Sequence, residues 1–90
     1  MTYYSNDLIR DINRRIIYQA IRDTASVDQK KRVKSMKWID SGNDYESTVE
    51  MAGWNEEALT LIFKDLVGQS LRIRKKYASD VLSGLESLSD

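Results

Sequence analysis

Residues 45–64 read YESTVEMAGWNEEALTLIFK. Gly53 interrupts an otherwise helix-forming run. A glycine just past a helical segment accepts the left-handed backbone that ends a helix. The reading is a short helix from Tyr45 to about Ala52, a corner at Gly53-Trp54-Asn55, and a second helix from Glu56. Asn55 is the natural N-cap, and Glu56 and Glu57 fall in the first turn, where the helix dipole favours negative charge. Trp54 before the cap and Leu59 four residues after it have the spacing of a hydrophobic staple. Leu59, Ile62, Phe63 and Leu66 continue one apolar face.

The same local signals extend in both directions. Upstream, Asp40-Ser41-Gly42-Asn43-Asp44 is a run of turn formers, with Asn43 or Asp44 placed to cap the helix that starts at Tyr45. Before it, Ser26 and Gln29 have capping-box spacing and open a helix to about Ile39 that buries Val33, Met36 and Ile39. Its other face carries Lys30, Lys31, Arg32, Lys34 and Lys37. The first helix runs from Ser5 or Asn6 to about Thr24. Leu8, Ile12, Ile16 and Ala20, flanked by Ile9, Ile17 and Ile21, form its apolar stripe, and Arg10, Arg14, Arg15 and Arg22 lie on the other side. Downstream, Gly68 ends the helix that begins at Glu56, and Ser70 caps a fifth. Alternatively the two run together with a kink. The stripe of the last helix is Ile73, Tyr77, Val81, Leu85 and Leu88, weakened near its end by Gly84 and several serines.

The expected fold is therefore all-α: a bundle of about five helices in a single domain spanning residues 1–90. The composition agrees. Proline is absent and there are only four glycines, so breakers are few and informatively placed. Cysteine and histidine are both absent, which removes disulfides, the usual transition-metal ligand sets and the common nucleophile–histidine chemistries. Nothing in the chain reads as a membrane span or a signal peptide, so a cytoplasmic protein without a membrane partner is expected. Asp40 with Asp44, and Glu56 with Glu57, are the only close carboxylate pairs, and capping and solubility account for them. No glycine-rich phosphate loop occurs. The expectation is a binding protein, with no cofactor and no metal, rather than an enzyme.

With Gly53 at its ninth place, the stretch Tyr45–Lys64 resembles the helix-turn-helix class of DNA-binding proteins over about twenty of the ninety residues. The buried places of that motif fall on Thr48, Ala52, Trp54, Leu59 and Ile62. The resemblance implies that Asn55, Thr60 and Lys64 meet base edges. Ala20–Leu66, with its Trp38-Ile39-Asp40-Ser41 and Met51-Ala52-Gly53-Trp54 elements, also looks like small phage and prophage proteins, which implies a regulatory or host-interaction role. Three departures stand out. Val49 replaces the usual alanine, Trp54 replaces a small β-branched residue, and Glu56-Glu57 puts negative charge where phosphates would approach.

The charge is distributed in blocks. Residues 1–37 carry nine basic and four acidic side chains, residues 38–70 one basic and seven acidic, and residues 71–90 four basic and three acidic, for a net charge of zero. Two uses follow. As a DNA-binding regulator, the protein would contact phosphates through Lys30, Lys31, Lys34, Lys37, Arg72, Arg74, Lys75 and Lys76. As a protein-binding inhibitor or adaptor, it would dock Asp40, Asp44, Glu46, Glu50, Glu56 and Glu57 on a basic host protein. A third reading is a structural oligomerisation domain. Leu71, Ala78, Val81, Leu85 and Leu88 approximate a heptad seam through which a homodimer would form, interrupted by Arg74. Tyr3 and Tyr4 either stack on bases or pack on the first helix, and Trp38 and Trp54 read as core or cap residues. One continuous positive surface of the second and fifth helices beside the fourth would favour the first reading, and opposed patches the second.

Overall fold

Helices form wherever the breakers leave room for them. The computed structural model describes residues 6–87 as α1 (Asn6–Thr24), α2 (Gln29–Ile39), α3 (Asn43–Met51), α4 (Glu56–Gly68) and α5 (Leu71–Ser87). No strand occurs among the described residues. The fold is an all-α bundle in which α1 touches each of the other four helices. Tyr3, Tyr4, the Ser5 capping candidate and Leu88 lie outside the described residues.

The corner between α3 and α4 is built from the two signals read above. Gly53 has φ 77°. Its N–H donates to the Glu50 carbonyl at 3.0 Å, and the next N–H, of Trp54, reaches back to the Val49 carbonyl at 3.2 Å. This paired arrangement closes the C-terminal turn of α3. Asn55 then caps α4, its Oδ1 accepting from the Ala58 N–H at 2.9 Å.

Other boundaries differ from expectation. The N-cap of α2 is Asp28, whose Oδ1 accepts from the Lys30 N–H at 2.9 Å. Ser26 accepts instead from the Asp28 N–H, so the Ser26–Gln29 capping box is not formed. A carboxylate directly before the first turn outcompetes a hydroxyl two residues earlier. α3 starts at Asn43 and its N-cap is Gly42, at φ 80°, a backbone conformation that neither Asn43 nor Asp44 adopts as easily. Gln69, extended at ψ 153°, separates α4 from α5, and α5 continues through Gly84 to Ser87.

The core joins Ile17, Ala20 and Ile21 of α1 to Tyr45, Val49 and Ala52, to Leu59, Phe63 and Leu66, and to Ala78 and Leu85 of α5. A chain of edge-on aromatic contacts crosses it: Trp38 to Tyr45 with ring centroids 5.3 Å apart, then Tyr45 to Phe63 at 6.1 Å. Where α1 and α2 approach, the contact is a small polar knot. The Ser35 and Thr24 hydroxyl oxygens lie 2.8 Å apart, and each is within hydrogen-bond distance of the Ala20 carbonyl, so their two protons are shared among three contacts. Ser35 is buried there while Val33, expected inside, is exposed. A larger side chain at position 35 would hold the two backbones apart.

Two arginines assigned to the surface lie inside. Arg14 donates its Nε to the Ala52 carbonyl at 2.9 Å, and its guanidinium carbon lies 4.9 Å from the centroid of Trp54. Arg74 is 9% exposed. It donates to the carbonyls of Thr24 (3.1 Å), Val67 (2.8 Å) and Gln69 (2.9 Å), all at helix ends where acceptors need donors. Arg74 therefore belongs to the buried stripe of α5 in place of Ile73, which is exposed. Of the expected seam of α5, Ala78 and Leu85 are buried in the chain's own core and Val81 packs against it, while Leu71 is exposed. The stripe of α1 is likewise rotated. Ile17, Ala20 and Ile21 are buried, but Leu8, Ile9, Ile12 and Ile16 face outward.

Candidate functional site

Lys30, Lys31, Lys34 and Lys37 are all exposed on α2; Lys30 and Lys37 point away from the buried Ser35, whereas Lys31, one turn before it, lies nearer the side that packs. On α5 the exposed face opens with Arg72, Lys75 and Lys76, at spacings of three and four residues. The fold brings one residue of each face to a shared cleft. A cleft of about 530 Å³ is lined by Lys31 of α2, Lys75 of α5 and Arg22 of α1, with Gln19, Asp23, Ser26 and Ser79 among its other walls. Asp23, the acidic member of this lining, is held by Gln19 Nε2 at 2.9 Å. A second, shallower groove lies along α2, lined by Gln29, Lys30, Val33, Lys34 and Lys37. Arg74 is withdrawn from this surface: it is buried and donates to carbonyls inside, so it is not part of the exposed basic face. Arg22 joins the site unexpectedly. It was legible as an exposed base in the last turn of α1, but nothing local placed it beside residues 31 and 75.

The surface of α4 is different in kind. A cleft of about 340 Å³ between the end of α2 and α4 has Met36, Ile39, Phe63 and Val67 as apolar walls and Asp40, Tyr45, Glu56, Thr60 and Lys64 as polar ones. It shares no lining residue with the cleft of Arg22, Lys31 and Lys75. The polar atoms of α4 are largely committed to local structure. Asn55 Oδ1 is the α4 cap. The Thr60 hydroxyl donates to the Glu56 carbonyl at 2.8 Å and lies 3.0 Å from the Tyr45 hydroxyl. Lys64 is exposed. Burial pushes the Tyr45 phenol above its ordinary range, with the nearby Glu56 charge adding to the rise and the Thr60 hydrogen bond opposing it.

The six acidic candidates, Asp40, Asp44, Glu46, Glu50, Glu56 and Glu57, are all exposed on the loop before α3, on α3 and on the first turn of α4. Asp40 and Glu56 both line the α2–α4 cleft, and Glu56 and Glu57 also rim an outer groove of α4 with Leu61 and Lys64. Among the described residues no group of three or more His, Cys, Asp or Glu side chains is placed to hold a metal ion, and no helix is long and apolar enough to cross a membrane. No protein-family model matches the chain, and neither a curated protein nor a solved structure is similar to it at a significant level.

Proposed function

We propose that the protein binds nucleic acid through the phosphate backbone, using the cleft where α1, α2 and α5 meet. The observation that carries this reading is the lining of that cleft by Arg22, Lys31 and Lys75, one cation from each of three helices. Rigid elements fix the spacing of these charges, and cations held at a fixed spacing are what a regular array of phosphates selects. Lys30, Lys34 and Lys37 extend the positive surface along α2, and Arg72 and Lys76 extend it along α5. In this reading α4 is a structural helix. Its first turn carries Glu56 and Glu57, and its Asn55 and Thr60 are engaged in capping and in the contact with Tyr45. Base reading by α4, as the helix-turn-helix resemblance implies, is accordingly a weaker feature than backbone contact by its neighbours.

The test is a titration of duplex DNA at several salt concentrations. Affinity should fall steeply as salt rises, and Lys31→Gln with Lys75→Gln should lower the slope of log K against log[salt] by about 2, at roughly 0.9 per phosphate contact. Absence of binding at low salt, or a slope unchanged by the double variant, would overturn the proposal.

A second reading is favoured by the α2–α4 cleft, whose apolar walls and acidic rim suit a basic, apolar-faced partner protein. In that case Asp40 and Glu56, with Asp44, Glu46, Glu50 and Glu57 around them, supply the complementary charge. The same titration separates the two readings, since the protein-binding one requires no affinity for DNA.

A further inference from the structure

α1 is apolar on two sides. Ile17 and Ile21 are fully buried, yet Leu8 is 43% exposed, Ile9 36%, Ile12 44% and Ile16 45%. At about 100° per residue these four occupy a single arc that adjoins the buried arc of Ala20, Ile17 and Ile21. The stripe runs from the first turn of α1 into a groove between α1 and α2, lined by Ile16 and by the half-buried Trp38. Isolated exposed aliphatics need no explanation, but an aligned row of four on the central helix of a small protein marks a contact surface.

The charges beside the row identify what covers it. Along one edge the exposed residues read Asp7 and Asp11 near the start of α1, then Arg15 and Arg22 toward its end. A two-fold axis perpendicular to the helix places each edge against the same edge of another copy, running the opposite way. Asp11 then faces Arg15 of the second copy, and Arg15 faces the second copy's Asp11, with the axis level with Asn13. A parallel pair, with its axis along the helices, would set this edge against the other flank of the partner, where Asn13 and Ala20 lie, and leave these charges unmatched.

We infer that this face is a homodimer interface, in which two α1 helices pack antiparallel through Leu8, Ile9, Ile12 and Ile16. The contact is isologous, the commonest arrangement for homodimers. It differs from the α5 seam expected from the sequence, whose Ala78 and Leu85 are already buried within the chain. Its four apolar residues do not line the basic cleft, and it stands whether or not DNA binds there.

Sedimentation equilibrium over a wide concentration range tests it. The 10.4 kDa chain should show a concentration-dependent species of twice that mass. Ile12→Glu should abolish that species while leaving the helical circular dichroism intact, because the side chain is exposed in the monomer. Asp11→Arg and Arg15→Asp should each weaken the dimer, and the two together should restore it. A monomer at all concentrations would overturn the inference. So would a dimer indifferent to Ile12→Glu, or a double charge swap that fails to recover association, since the pair would then not form through this face in this register.

Discussion

Arg74 holds three parts of the chain together through carbonyl oxygens alone. Its acceptors on Thr24, Val67 and Gln69 belong to the ends of α1 and α4, and its own helix starts three residues before it. Hydrogen bonds from a charged donor in a buried place are among the stronger local contributions, and removing the donor leaves the acceptors unpaired. Arg74→Met, which keeps most of the apolar stem, should cost about 2–3 kcal/mol in urea denaturation, while Arg72→Met on the exposed face should stay within about 0.5 kcal/mol. The sequence hid this role for a physical reason. A burial pattern is read from side-chain polarity, and arginine counts as outward-facing. What turns it inward is a set of unpaired carbonyls, one of them fifty residues away, and carbonyls are present at every position and so leave no mark in the sequence. Arg14, which serves the Ala52 carbonyl and the Trp54 ring, escaped the same reading on the same grounds.

At the scale of the element, the α3–α4 corner rests on one backbone conformation and one cap. A side-chain Cβ at Gly53 would meet only ordinary contacts, the Arg10 Cδ at 3.6 Å and the Arg14 Nη2 at 3.8 Å, so a substitution there is opposed by the backbone and not by crowding. Gly53→Ala should destabilise the fold by about 1–2 kcal/mol, the usual cost of a left-handed conformation for a residue with a Cβ. Gly84, helical and facing open space, should respond with the opposite sign: Gly84→Ala should add about 0.5–1 kcal/mol. Thermal melts of the two variants, compared with the unsubstituted chain, check the contrast. Helix existence and order were legible because their signals are local: Gly53, Asn55, the 40–44 turn and the absence of proline. The rotation of α1 was not. Leu8, Ile12 and Ile16 form as regular a stripe as Ile17 and Ile21, and periodicity cannot say which of two apolar faces the rest of the chain covers.

Over the whole molecule, the blocks of charge visible along the chain become surfaces with different shapes. The basic faces of α2 and α5 were each readable from helical spacing. Their meeting at Lys31 and Lys75, forty-four positions apart, is a property of how α1 carries both helices, and no local pattern records it. The acidic block likewise folds onto α3 and the start of α4, apart from the basic cleft. The two apolar faces of α1 have one more consequence, and it concerns length. At 1.5 Å per residue, Arg22 stands about 13.5 Å beyond an axis at Asn13, so an antiparallel pair of α1 helices would hold the two Arg22 residues about 27 Å apart along the helix, somewhat under the roughly 34 Å of one duplex turn. α1 then acts as a ruler. Hydroxyl-radical footprinting should show two protected patches on one side of the duplex, about one turn apart, and a single patch would mean that each cleft meets DNA alone.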